Sequence, residues 1–366
     1  MPRSQALDVL RFIAVWLVLG RHLDLAGCAT SGFARMILDA WVRGGWVGVD
    51  FFFVLSGFLV SGLLFREHKK FGQISYKTFF IRRGLKIYPA FYFLLAITCV
   101  WNTLQSGRPG LKGLMAEGLF VQNYLPGLWQ HTWSLAVEEH FYLLLPLLLI
   151  FLCRLNPAQS DKFKSIPWIC FGLAVFCLVL RLVVSLRAPY NFRTHQSYTH
   201  LRIDGLFYGV MLSYFYHYYP NFLSRLRPFR WVLCGLGLVA ISPAFVFPVE
   251  NTFFIYTAGL TIIYVGFGLI LLAALTGKIL EHRLFSRISY VGSRSYSIYL
   301  WHWPLAIWTG VLANHFFGGF ASWWLYAAAY FIGAIGVGIA MSELMEYPVI
   351  RLRDRFFPSR SNPLTP

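Results

Sequence analysis

Ten stretches of this chain are each long and apolar enough to cross a bilayer, and that constrains its architecture more than any other feature. A hydrocarbon core about 30 Å thick takes about 20 mostly apolar residues of helix. The stretches 7–25, 46–65, 87–104, 133–153, 166–186, 201–219, 231–248, 253–275, 295–313 and 322–342 meet that length. The longest connection, 105–132, has 28 residues, so no separate water-soluble domain fits between them. Composition agrees, with 57% apolar and 13% charged residues where an ordinary soluble domain has about a quarter charged. The expected fold is all-α: a polytopic membrane protein with about ten transmembrane helices.

An even number of spans puts both termini on one side, and the Lys and Arg count says which. With the termini inside, the inner segments hold 22 basic residues and the outer loops 6, with Arg11, Arg21, Arg181 and Arg202 inside spans. Short cytoplasmic loops carry the basic excess, so both termini are expected to be cytoplasmic and most of the net charge of +17 is a topology signal. Nucleic acid is excluded as a partner, because the basic residues are divided among short loops beside apolar helices. Six cysteines show neither a C-x-x-C pair nor ligand spacing, so no disulfide framework and no metal site is expected.

Ionisable groups within spans cost about 2.5 to 3.5 kcal/mol each near the bilayer centre and normally mark a pathway or a site. Counting along the spans puts His22, Asp50, Glu138, Glu139, Arg202 and Asp204 in one shallow layer beneath the outer surface. Arg11 lies eleven residues before His22; at 100° and 1.5 Å per residue the two share a helix face about 16 Å apart. His302 falls between them in depth. An imidazole among carboxylates fits general base chemistry on a hydroxyl, with a carboxylate orienting the imidazolium. Arg82, Arg83 and Lys86 place fixed charge at the cytoplasmic mouth, where a phosphate-bearing donor could bind. Group transfer across a membrane follows; periodicity does not name the group. His68, His217, His282 and His315 read as loop or interface residues, and Ser56, Gly57, Gly62, Gly333, Gly336 and Gly338 as small residues for close helix packing.

Five motifs then occur in a recognisable order: LDVLRFIAVWLVLGRH at 7–22, GVDFFFVLSGFLVSGLL at 48–64, FFIRRGLKIYPAFY at 79–92, WSLAVEEHFYLLLP at 133–146 and YSIYLWHWP at 296–304. In that order they resemble the integral-membrane acyltransferase family 3, the group that O-acylates bacterial surface polysaccharides. The resemblance covers essentially the whole chain; RIDGLFYG at 202–209 and Glu346-Tyr347-Pro348 extend it. Departures include Val9, Phe12, Arg21, Lys86 and His140, which leave the subfamily and the substrate open.

The resemblance implies an acyl-CoA donor, most often acetyl-CoA, held by Arg11, Arg82, Arg83 and Lys86, and no tightly bound cofactor. It implies His22 as the base at the acceptor hydroxyl, assisted by Glu138. Asp50, Trp133, Glu139, Arg202, Asp204 and His302 then bind the acceptor or support the site. Consecutive residues differ by 100° on a helix, so only one of Glu138 and Glu139 can face His22. The implied organisation is a membrane domain over 1–345 and a short basic cytoplasmic tail over 346–366, without the SGNH-hydrolase-type domain that many relatives carry. Its place is the inner, cytoplasmic membrane, its partners membrane lipid, acyl-CoA and a saccharide acceptor. The competing reading is a transporter or flippase of a lipid-linked sugar or acyl donor. Transporters often show repeated halves with interrupted helices, and no internal repeat is visible.

Overall fold

A computed structural model describes residues 5–107, 110–157, 159–277 and 283–360. His282, the first four residues and the last six of the basic tail lie outside them. Among the described residues every regular element is helical, as a chain inside lipid requires: each backbone N–H and C=O must be satisfied within its own segment. The helices are α1 (Gln5–Arg21), α2 (Gly32–Gly44), α3 (Val47–Phe71), α4 (Tyr76–Ser106), α5 (Leu111–Gly118), α6 (Trp133–Leu155), α7 (Ile166–Arg187) and α8 (Thr199–Tyr218). They continue with α9 (Phe222–Leu226), α10 (Arg230–Ile241), α11 (Pro243–Val246), α12 (Leu260–Thr276), α13 (Arg283–Gly292), α14 (Ser295–Phe317), α15 (Trp323–Met341) and α16 (Tyr347–Phe356).

Each of the ten apolar stretches falls on helix, and seven of the resulting helical segments are long and apolar enough to span a bilayer. The three that fall short are α1, α8 and α14. The reason is chemical: α1 has 17 residues including Asp8 and Arg11, α8 carries Arg202 and Asp204, and α14 carries His302. α3 with Asp50 and α6 with Glu138 and Glu139 also carry polar candidates and still qualify.

Two segments expected as loop are ordered. The connection 26–45 contains α2, whose Trp41 Nε1–H donates to Trp16 O at 3.2 Å. In the connection 105–132, Glu117 is fully buried and accepts from the amides of Leu128 and Trp129 and the hydroxyl of Thr132 at 3.1, 2.9 and 2.8 Å. One carboxylate thus fixes the loop that leads into α6.

α3 is the central helix, with 78% of its most apolar window buried, whereas 11% of that of Phe222–Val246 is buried. Close approach between α3 and α8 depends on glycine: a Cβ at Gly57 would lie 1.9 Å from Leu206 O, and one at Gly209 2.3 Å from Val54 O. Gly338 likewise meets Ile298 on α14, but nothing lies within 4 Å of a Cβ at Gly333 or Gly336. Two of the three glycines on α15 therefore have no packing duty.

The basic stretch from 346 onward is not an appendage where it is described. α16 lies against α4, with Arg82 paired to Asp354 at 2.9 Å, and Arg360 reaches Glu67 at 3.2 Å. A π-turn at Ser342–Glu346 turns the Glu346 carboxylate inward, where Ser297 and Ser342 donate to it at 3.0 and 3.1 Å.

Candidate active site

A cavity of about 1400 Å³ opens between α1, α3, α4, α6, α14 and α16. Its mouth carries Arg66, Arg82, Arg83, Lys86, Arg353 and Arg360, and Arg11 lines its wall. These cations are not equivalent. Arg82 is tied to Asp354, which also pairs with Arg353 at 2.8 Å, and Arg11 pairs with Asp8 at 2.8 Å. Among the described residues Arg83 forms no salt bridge; its guanidinium lies 4.3 Å from the centre of the Tyr142 ring, and its buried Nε has no hydrogen-bond partner. An anion entering the cavity therefore meets Arg83 as an uncommitted fork of donors.

Glu138 lies on the same wall. Its Oε2 accepts from Tyr142 OH at 2.7 Å, and Tyr142 shares a second hydrogen bond, 2.7 Å long, with Ser56. Glu139, one residue on, points elsewhere: Tyr88 OH donates to its Oε2 at 3.0 Å and it does not line the cavity. The two glutamates face different neighbours, as a 100° step requires, but neither of those neighbours is His22.

The cavity closes at Ser134 and Tyr299. Tyr299 OH donates to His131 O at 2.6 Å, so Ser134 Oγ, 2.7 Å away, donates to Tyr299. Beyond this pair lies a cluster of imidazoles. The His22 ring is 5.1 Å from His302 and 4.2 Å from Trp303, and His302 is 5.2 Å from His131, centre to centre.

The structure does not bring Glu138 to His22. No hydrogen bond joins them, and His22 is not a lining residue of the cavity that holds Glu138. The group beside His22 is an imidazole, His302, where the sequence leads one to expect a carboxylate. The helical phase linking Arg11 to His22 also stops short, because α1 ends at Arg21 and the His22 amide bonds Leu19 O in a tighter turn.

The single shallow layer of acids and bases is likewise divided. Asp50 pairs with Arg202 at 2.7 Å, both nearly inaccessible, and the Arg202 guanidinium lies 5.2 Å from the centre of the Trp133 ring. Asp204 pairs with Arg181 on α7, which also donates to Thr261 at 3.1 Å. Each acid thus has its own cation, which offsets the burial cost, and neither pair lines the cavity. Arg181 is the partner that sequence reasoning passed over; it sits in an apolar span with no motif around it. His131 is the other omission, and α14 grips it at both backbone and ring.

Three comparisons bear on identity. The chain is 29% identical over 330 residues to the peptidoglycan O-acetyltransferase OatA of Listeria monocytogenes, which covers 82% of this chain and 49% of that protein. It is 28% identical over 335 residues to the O-acetyltransferase OatA of Staphylococcus aureus, with 82% and 50% covered. The chain thus spans about half the length of these relatives. No solved structure matches it. The family model described as an acyltransferase domain matches residues 4–343, which include most of the cavity's lining and the whole imidazole cluster. The protein belongs to that membrane acyltransferase family, the one its five motifs resemble.

Proposed function

We propose that this protein is a membrane-embedded O-acyltransferase that moves an acyl group, acetyl foremost, from a cytoplasmic acyl-CoA to a hydroxyl of a cell-surface or lipid-linked saccharide. The observation that carries the reading is the arrangement of the cavity: a basic mouth, an uncommitted Arg83, and a closed end at Ser134 and Tyr299 with imidazoles beyond. The names of the relatives supply the acetyl group and the saccharide class.

In this reading Arg83, with Arg11, Arg82 and Lys86, holds the donor's phosphates, and the thioester end reaches toward Tyr299. His22 takes the proton as the acceptor O–H bond breaks. The oxygen bonds to the acyl carbon, the C–S bond breaks, and the thiolate leaves to be protonated as free CoA. Glu138 acts through Tyr142 and Arg83 on the donor side, and does not touch His22. Asp50, Arg202, Asp204 and Trp133 support the acceptor side by holding α3, α6 and α8 together, while Glu139 anchors Tyr88. CoA enters and leaves as substrate, with no tightly bound cofactor. The protein sits in the inner membrane with about ten spans and both termini in the cytoplasm.

The test is mass spectrometry of surface glycans from cells with the wild-type gene, without it, and with His22→Ala at normal protein level. Loss of one acyl mass in both altered strains is expected, because a general base contributes roughly 10²- to 10⁴-fold. Unchanged glycan in the His22→Ala strain removes His22 as the base; substrate movement without acyl-CoA consumption would favour a transporter.

A further inference from the structure

Residue 131 stands two positions ahead of α6 and belongs to no motif, yet α14 holds it from two sides. Pro304 has no N–H, so the carbonyl of Leu300, four residues earlier, lacks its helical donor. His131 Nε2 lies 3.2 Å from that oxygen. A carbonyl only accepts, so Nε2 carries the proton, and Nδ1 of a neutral ring is then a bare acceptor. His302 is set the same way: its Nδ1 contacts Tyr299 O, which leaves Nε2 as the acceptor. Both acceptor nitrogens are buried, and the protein donates no hydrogen bond to either.

The rings form a row. His131 meets His302, and His302 meets His22, while Trp303 touches both ends at 5.5 Å from His131 and 4.2 Å from His22. Within this row His22 is the ring whose tautomer no backbone carbonyl sets. The bare acceptor of His302 in the ring next to it favours one arrangement: the His22 N–H turned toward the row and its other nitrogen kept free.

We propose that His131 is a positioning residue for acyl transfer: clamped by the carbonyl that Pro304 frees, it holds His302 and Trp303 against His22 so that His22 keeps one nitrogen open to the acceptor hydroxyl. This rests on His22 being the base. No bond forms or breaks beyond those of the transfer itself.

The test uses inside-out vesicles of the native membrane carrying the full chain, with radiolabelled acetyl-CoA and the resident acceptor, reading label in glycan against donor concentration. Because the donor cavity ends at Tyr299, His131→Phe is expected to lower Vmax about tenfold or more while leaving the acetyl-CoA KM nearly unchanged. His131→Gln, whose side-chain amide can donate to the same carbonyl, is expected to keep Vmax within about threefold of wild type. Pro304→Ala, which returns a backbone N–H to compete for Leu300 O, is expected to lower Vmax in the same direction. Full Vmax in His131→Phe, or a loss carried by KM, overturns the proposal. So does a His131→Gln defect as deep as that of His131→Phe at equal protein level. If His131→Phe does not accumulate, His131→Gln and Pro304→Ala decide: a Gln variant reduced tenfold, or a Pro304→Ala variant at full rate, overturns it. His22→Ala separates the two claims, because transfer retained there removes the base itself, whereas transfer lost there with His131→Phe intact removes only the clamp.

Discussion

Two sets of charges are held within the bundle, and the protein treats them in opposite ways. On α3, α7 and α8, Asp50 pairs with Arg202 and Asp204 with Arg181, and all four side chains are almost wholly inaccessible. Around the cavity, Arg83 forms no direct ion pair among the described residues and rests on the Tyr142 ring, while Glu138 accepts a hydrogen bond from the Tyr142 hydroxyl within reach of the field of Arg83. Charges paired with one another hold helices together. A charge that the protein leaves without a direct ion pair is available to a ligand.

That contrast can be broken, and the largest effect should come from the paired set. Asp204→Ala leaves Arg181 buried without its counterion, which costs about 3 to 5 kcal/mol. Little folded protein should be recovered in detergent, and the double replacement Arg181→Met with Asp204→Leu should restore yield. Recovery of Asp204→Ala at wild-type yield and melting temperature would make the pair dispensable. On the cavity side the sign reverses: Arg83→Gln should leave the melting temperature close to wild type but raise the acetyl-CoA KM about tenfold or more, since a charged hydrogen bond is worth about 1.5 to 3 kcal/mol. A lowered melting temperature with unchanged KM would move Arg83 into the structural set.

A third variant probes the contact on which the Asp50–Arg202 pair depends. Gly209→Ala puts a methyl 2.3 Å from Val54 O, a backbone atom that cannot step aside. Overpacking of this kind costs about 1 to 3 kcal/mol, read as a lower melting temperature with the acetyl-CoA KM unchanged. An unshifted melting temperature would show the interface to be looser than described.

The smallest effect concerns the connection between α4 and α6, where Glu117 belongs to neither set. Burial pushes its carboxyl up to about 7, against the amides of Trp129 and Leu128 and the Thr132 hydroxyl, which lower it. A carboxyl whose folded value is raised binds its proton more tightly in the folded state. Its stabilising contribution is therefore full below the ordinary carboxylate range and lost as pH rises through about 7. Melting temperature should fall between about pH 5 and 8 in wild type, and Glu117→Gln should flatten that slope. An identical slope in the variant would place the titration elsewhere.

Much of this was legible in the chain itself. The ten apolar stretches all fall on helices because burial of apolar surface and internal backbone hydrogen bonding are local demands, readable over about 20 residues. The difference between Glu138 and Glu139 was also local, since it needs only the 100° helical step. Partner choice was not legible. Arg181 and Asp204 are 23 residues apart, Arg202 and Asp50 152 residues apart, and His131 reaches a carbonyl 169 residues away. A histidine just ahead of a span is unremarkable alone. Pro304 was the available signal, because a proline inside a helix announces a carbonyl in need of a donor.

The sequence alone determined that the chain is a helical membrane protein of this acyltransferase family, because hydropathy, basic-loop asymmetry and ordered motifs are properties of short segments. Only the tertiary structure decided which imidazole meets which, that Glu138 lines the basic cavity and does not meet His22, and that α16 lines that cavity too. Those are matters of how one helix face turns toward another, and a helix's own residues do not specify what lies across the gap.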